Sequence, residues 1–233
     1  SGTGTTAGAA LAAPGVTWLV LAVGWRASFL VVAPLALVLA AIWWRDYRDD
    51  PTAHRGVNRA EAEAIGEGRA AAPYEVPVAW RRLLADRELL LLTLSYGCCG
   101  YVFYLFFNWL PYYLTEVRHV PPTTAGYFLA AQWSAGALAS LAGGVACDRL
   151  SARRGARLGC RVPAVAGAAL CAPLLVAGAL VASPSWSVAF LSASFAAVMF
   201  MDAPHWAAAM RLAGDQSQGA TAAMNTGANL AGG

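Results

Sequence analysis

The chain has 233 residues, 58% of them hydrophobic and only 12% charged, against about 25% charged residues in an ordinary soluble domain. That balance excludes a water-soluble globule. All 16 basic residues are arginine and the acids number 13, so the net charge of +3 carries meaning only once the charges are placed along the chain.

Residues 4–23, 27–44, 89–114, 124–147 and 162–181 contain no Asp, Glu, Lys or Arg. A hydrocarbon core of about 30 Å is crossed by roughly 20 helical residues, and a run of about 18 lies within the tolerated range. Residues 186–209 form a sixth span interrupted only by Asp202, and a seventh opens near Gly219 and reaches Gly233. Runs this long without period-two alternation exclude barrel strands, which leaves helices. The expected fold class is therefore all-α, a polytopic membrane protein. The chain opens at Ser1 with no methionine, no basic leader and no cleavage pattern, so the first run reads as a span rather than a signal peptide. The odd, truncated helix set reads as an internal piece of a longer membrane protein.

Charge placement orients the spans. If the polar segment 45–88 lies on one side and the helices alternate, that side holds 14 arginines and the other only Arg26 and Arg118. The positive-inside rule then makes segment 45–88 cytoplasmic. The segment also carries nine acids, so it is a solvated connector rather than a nucleic-acid-binding arm. Asn58 followed by Glu61 predicts a helix N-cap and capping box opening a short helix over 60–65, after which Pro73 and Pro77 return the chain to the membrane. The expected organisation is two helices ending one bundle (1–44), a connecting loop (45–88) and a second, truncated bundle (89–233).

The five cysteines lie in or beside helices without a C-x-x-C pair, which points to neither a disulfide framework nor a metal centre; no cofactor is expected. Small residues recur at helical spacing, with Gly136, Ser140 and Gly144 flanked by Ala135, Ala139 and Gly143, and Ala223, Gly227 and Ala231 in the last helix, as close helix packing in a membrane requires. Asn225 and Asn229 form a stripe roughly opposite the second small set. Amides in a span face either a partner helix, as hydrogen-bonding glue, or a polar cavity.

Tyr101, Tyr104, Asn108 and Tyr112 share a face of the third span, and Pro111 is expected to bend or break its outer end. Trp109, Tyr112 and Tyr113 also suit an aromatic belt, which leaves Tyr101, Tyr104 and Asn108 as candidates for a cavity wall. Asp202 is the one acid within a span, with His205 and Trp206 on its face. Such a set suits a proton step or an aromatic against a ligand, and equally an acid at a hydrated cavity mouth. No span assembles a nucleophile, base and metal-ligand set, which disfavours an intramembrane enzyme. At the end of the fourth span, Gly144, Asp148, Arg149, Arg153 and Arg154 form a glycine, acid and arginine motif suited to an ionic latch between helix ends.

These residues resemble the major facilitator superfamily, whose transporters carry twelve helices in two pseudo-symmetric halves. The motif from Gly144 to Arg154 resembles its cytoplasmic loop signature between the eighth and ninth helices, with Ser151 and Ala152 in place of the glycine-containing turn. Gly24-Trp25-Arg26 with Phe29, Pro51-x-x-His54, Trp80-Arg81-Arg82-Leu83-Leu84, Asn108-Trp109-Leu110-Pro111-x-Tyr113-Leu114 and Asn225-x-x-x-Asn229-x-x-Gly232 resemble its anion:cation symporter branch of sugar-acid, hexuronate and aromatic-acid importers. The resemblance implies a partial fold covering helices five to eleven, lacking helices one to four and twelve. It implies a small organic anion as substrate, proton symport by alternating access, and a bacterial inner membrane. It further implies that Tyr101, Tyr104, Asn108, Trp206, Asn225 and Asn229 line the central cavity, and that the acids and arginine coupling protons and binding carboxylate lie mainly in helices one and four. Within these spans Asp202 and His205, singled out above, are the proton-coupling candidates. A non-transporting membrane sensor or scaffold on the same fold is the rival reading; it would keep the packing stripes without needing a polar cavity face.

Overall fold

The computed structural model describes residues 3–48, 56–58, 60, 61, 63 and 78–232. Its helices are α1 (Thr3–Asp46), α2 (Trp80–Leu83), α3 (Arg87–Tyr112), α4 (Pro122–Arg154), α5 (Ala156–Leu180), α6 (Pro184–Ala213) and α7 (Ser217–Gly232). Among the described residues there is no strand. Among the described residues, five helical segments are long and apolar enough to cross a membrane. Two of them each hold two of the expected spans: Gly4–Asp46 contains the non-helical Gly24, and Pro184–Gly232 contains the break at Gly214. The fold is that of a polytopic all-α membrane protein.

The chain divides into two compact units, Ser1–Thr17 with Val78–Gly233, and Trp18–Pro77. In the second, α1 is exposed and apolar on all sides, with Trp18, Leu21, Phe29, Leu37 and Trp44 all outward, as for a helix whose solvent is hydrocarbon. Gly24 has φ +80°, a backbone that a side chain disfavours, and it interrupts the helix beside Arg26, between the two expected spans. The Ser28 hydroxyl donates to the Gly24 carbonyl at 2.8 Å, supplying a partner where helix geometry lapses. In the connecting segment the Glu61 amide donates to Asn58 Oδ1 at 2.8 Å, the N-cap bond that the Asn58 and Glu61 spacing predicts. The rest of the predicted 60–65 helix, Pro73 and Pro77, and the Pro51-x-x-His54 motif lie outside the described residues.

In the first unit the helix ends follow local sequence chemistry. Asp86 caps α3 by accepting from the Glu88 and Leu89 amides at 2.8 and 3.2 Å. Pro122 and Pro184 open α4 and α6, where a missing N–H costs nothing. The polypeptide turns between α4 and α5 at Gly155, φ +86°. Pro111 ends α3 within one residue, and the chain continues as a π-helical turn, Tyr113–Val117.

The core is a cluster of rings around Phe195, which is fully buried. Trp133 meets it edge-on at 5.0 Å and Phe106 at 5.5 Å, the arrangement that places positive ring edges against negative faces. Small residues let the backbones approach. A methyl on Gly136 would lie 2.6 Å from a Phe195 ring carbon, one on Gly100 would lie 2.8 Å from the Ala228 carbonyl oxygen, and one on Gly143 would strike the Phe200 carbonyl oxygen. Gly144 has far more room, with Ala203 Cβ at 3.7 Å. The close approach of α4 to α6 therefore uses Gly136 and Gly143.

Gly143→Ala and Gly144→Ala separate contact from propensity. Both gain up to about 1 kcal/mol of helix propensity. Only the first drives a methyl into backbone, at a cost of about 1–3 kcal/mol. The thermal midpoint of the detergent-solubilised full-length protein is expected to fall for Gly143→Ala and to hold or rise for Gly144→Ala.

Candidate functional site

A cavity of about 690 Å³ opens between α3, α6, α7 and the first turn of α1. Helical spacing builds its walls. Tyr96, Gly100 and Tyr104 recur every four residues along α3, Asp202 and Trp206 along α6, and Asn225 and Asn229 along α7. Thr5 and Thr6 close one side. Asp202 is the charged residue of the lining, which contains no arginine.

Two hydrogen-bonded groups organise this surface. In the first, the Tyr96 hydroxyl donates to Asp202 Oδ1 at 2.9 Å, while the Trp206 indole N–H is shared between the Tyr96 oxygen at 3.0 Å and Asp202 Oδ1 at 3.2 Å. The indole also stands edge-on to the Tyr96 ring, 6.1 Å between centroids. In the second, the Tyr104 hydroxyl donates to Asn229 Oδ1 at 2.6 Å and the Asn229 amide donates to the Asn225 carbonyl at 2.8 Å. Phenol, indole, amide and carboxylate groups thus face one volume, able to give and accept hydrogen bonds.

His205 is held differently from its neighbour. It is 4% exposed, with Nδ1 2.8 Å from the Met201 carbonyl and Nε2 3.1 Å from the Ser95 hydroxyl. A carbonyl only accepts, so Nδ1 carries the hydrogen, and in a neutral ring Nε2 accepts from Ser95. Both ring nitrogens are engaged within the scaffold, whereas Asp202 is only half-buried at the cavity wall.

The structure brings together Tyr104, Asp202, His205, Trp206, Asn225 and Asn229 of the residues singled out from sequence. Tyr101 and Asn108 lie outside the lining, and both are exposed. Tyr101 is one residue past Gly100, a rotation of about 100° away from the cavity stripe. Tyr96 and Ser95 escaped sequence reasoning. The readable signal was Tyr96 standing two turns before Tyr104 with Gly100 between, a stripe offset from Tyr101 and Asn108.

The other motif residues sit at the two ends of this unit. At one end, Arg118 donates from Nε to the Tyr113 hydroxyl at 2.6 Å and from its two terminal nitrogens to the Ala182 and Val181 carbonyls at 2.9 and 2.7 Å. It caps the carbonyl end of α5. At the other end, Gly144, Asp148, Arg149, Arg153 and Arg154 lie in the last turns of α4, with Asp148 and the three arginines exposed. Among the described residues the ion pair is Arg45–Asp46 at 3.9 Å, so Asp148 has no ionic partner there. Arg211 makes the cross-helix contact at that end, donating to the Ser151 hydroxyl at 3.1 Å and lying 3.3 Å from Cys160 Sγ. The five cysteines are free, and no group of three or more metal-ligating side chains occurs among the described residues.

A bundle of membrane-length helices with a polar-walled cavity between them defines a polytopic all-α membrane protein. The chain belongs to the Major Facilitator Superfamily, whose family model matches residues 1–233. It is 31% identical over 230 residues to a probable sulfoacetate transporter of Cupriavidus necator, covering 97% of this chain and 53% of that protein. It is 30% identical over 155 residues to a probable galactarate/D-glucarate transporter of Escherichia coli, covering 61% of this chain and 34% of that protein. With a hexuronate transporter of Bacillus subtilis the identity is 24% over 207 residues, 88% of this chain and 47% of the other. The chain spans about half the length of the curated relatives it covers most fully.

Ser95→Ala would leave His205 Nε2 without its donor in a buried site, costing about 1–3 kcal/mol. Tyr104→Phe, which removes a hydroxyl from the open cavity wall, is expected to cost less than about 1 kcal/mol. Thermal unfolding of the two variants in the full-length protein should rank them in that order.

Proposed function

We propose that the protein to which this chain belongs carries a small organic anion, a sugar acid or related carboxylate, across a bacterial inner membrane by proton symport and alternating access. The observation that carries this reading is the Tyr96, Asp202 and Trp206 group on the cavity wall, a carboxylate accepting from two polar aromatics within a membrane. An ionisable residue at such a depth marks a solute or proton path by default. The relatives named as probable sulfoacetate and galactarate/D-glucarate transporters agree with an anionic substrate.

The chemistry divides between substrate and proton. Hydroxyl groups of a sugar acid match the Tyr104, Asn225 and Asn229 amide and phenol surface, which both donates and accepts. About 690 Å³ lies in the usual range of small-molecule sites. A substrate carboxylate calls for a cation, which this lining lacks, so that arginine belongs to the remaining helices, one to four or twelve. Asp202 is the proton carrier, and His205, bonded to Met201 of α6 and Ser95 of α3, ties the two helices together beside it. A carboxylate that takes up a proton loses its charge and weakens its hold on the Tyr96 and Trp206 donors, which frees both to turn toward substrate. The arginine-rich side, including segment 45–88, faces the cytoplasm by the positive-inside rule.

The test uses the full-length protein in proteoliposomes with an imposed proton gradient and glucarate, galactonate or sulfoacetate as candidate solutes. Asp202→Asn keeps an acceptor but cannot carry a proton; it is expected to abolish gradient-driven accumulation while substrate exchange persists. Trp206→Ala and Asn225→Ala are expected to weaken substrate binding about tenfold or more, the weight of one or two lost hydrogen bonds. Accumulation by Asp202→Asn equal to wild type would overturn the proton assignment. Ligand binding without uptake by the wild-type protein would favour the sensor reading instead.

A further inference from the structure

A second cavity, of about 300 Å³, lies away from the first, in the groove between the ends of α4 and α5. Arg149 and Arg153 stand on its α4 wall, one helical turn apart, with Leu150 between them. Val162 and Ala166 form the α5 wall, and Phe200 of α6 closes the floor. Both guanidinium groups are exposed, and neither makes an ion pair among the described residues. Asp148, the acid beside them, is not part of the lining.

The level of this groove in the membrane follows from the charge-free runs. The run in α4 ends at Cys147, so Arg149 and Arg153 rise about 3 and 9 Å beyond it along the helix axis. The run in α5 begins at Val162, on the returning helix. The apolar floor therefore lies at the edge of the hydrocarbon and the two arginines lie in the headgroup layer, which adds several ångströms on each side of the core. The neighbouring cation Arg211 is already committed to Ser151 and the Ala156 carbonyl, 3.1 and 3.4 Å away, and of the arginines at this end Arg149 and Arg153 are the two that line the groove.

We propose that this groove binds an anionic glycerophospholipid, with its phosphate between Arg149 and Arg153 and an acyl chain along Val162, Ala166 and Phe200. Paired arginines match phosphate oxygens by charge and by donor geometry. Basic pockets between helix ends are lipid headgroup sites. The apolar floor selects a lipid over a free anion, since inorganic phosphate gains nothing from Phe200 or Val162. A lipid seated here bridges α4 and α5 at the end where Arg211 of α6 also docks, so it holds the three helix ends as one body.

Native mass spectrometry of the delipidated full-length protein, titrated with equal amounts of phosphatidylglycerol and phosphatidylcholine, tests the site. Wild type is expected to retain phosphatidylglycerol preferentially. The double variant Arg149→Gln, Arg153→Gln is expected to lose about 30-fold in apparent affinity, the weight of two arginines at a bilayer surface. Arg154→Gln, an exposed arginine outside the groove, is expected to leave binding unchanged. Ala166→Phe, which fills the groove from its α5 wall and keeps both charges, is expected to lower retention as well. An equal loss from Arg154→Gln would reduce the effect to diffuse surface charge and overturn the site. Unchanged binding in Ala166→Phe, or displacement by millimolar inorganic phosphate, would overturn the lipid as occupant. These readouts require no transport, so the proposal stands or falls apart from the proposed function.

Discussion

Hydrocarbon supplies no hydrogen-bond partner, and the polar groups of the described helices are largely arranged around that constraint. Backbones satisfy themselves by closing into helices. Side-chain hydroxyls then turn back to carbonyls: Ser187 to Gly178, Ser194 to Cys171, Thr17 to Ala13 and Ser28 to Gly24. Helix ends are treated alike, by Asp86 at the start of α3 and by Arg118 at the end of α5. Where polar side chains gather instead of turning back, as around Asp202, they do so at a cavity.

Helix association cannot draw on the hydrophobic effect, because lipid tails are as apolar as leucine. Shape carries the burden. Gly143 and Gly100 let backbone meet backbone, and the Trp133, Phe106 and Phe195 rings fill the space between α3, α4 and α6. That packing sets His205, with both nitrogens held, beside Asp202 and Trp206 on the α6 lining of the cavity. Neighbouring residues of one helix thus supply both a histidine tied to α3 through Ser95 and the Asp202 and Trp206 pair that meets Tyr96 on the cavity wall.

Much of the fold was legible in residue order. Charge-free runs located the spans, Gly24 stood at the predicted break, and Asn58 capped Glu61 as its spacing requires. The small-residue stripe of α4 was legible as a stripe, yet Gly143 rather than Gly144 meets the Phe200 carbonyl. Helical periodicity leaves two adjacent glycines only about 100° apart, and the neighbouring backbone decides between them. Of the polar stripe on α3, Tyr104 faces the cavity while Tyr101 and Asn108 do not. Tyr96, which donates to Asp202 from 106 positions away, had no local signal linking the two.

Sequence by itself determined that this chain lives in a membrane, as helices, with its arginines gathered outside the hydrocarbon and one acid left within a span. Those are consequences of solvation, which acts on each segment separately and so can be read from composition and order. Only tertiary structure decided which polar groups meet: Tyr96 and Trp206 with Asp202, Ser95 with His205, Arg211 with Ser151, and a free pair of arginines over an apolar groove. Such pairings depend on the rotation and depth of each helix against its neighbours, which is set by side-chain shape across distant parts of the chain and leaves no mark in any single segment.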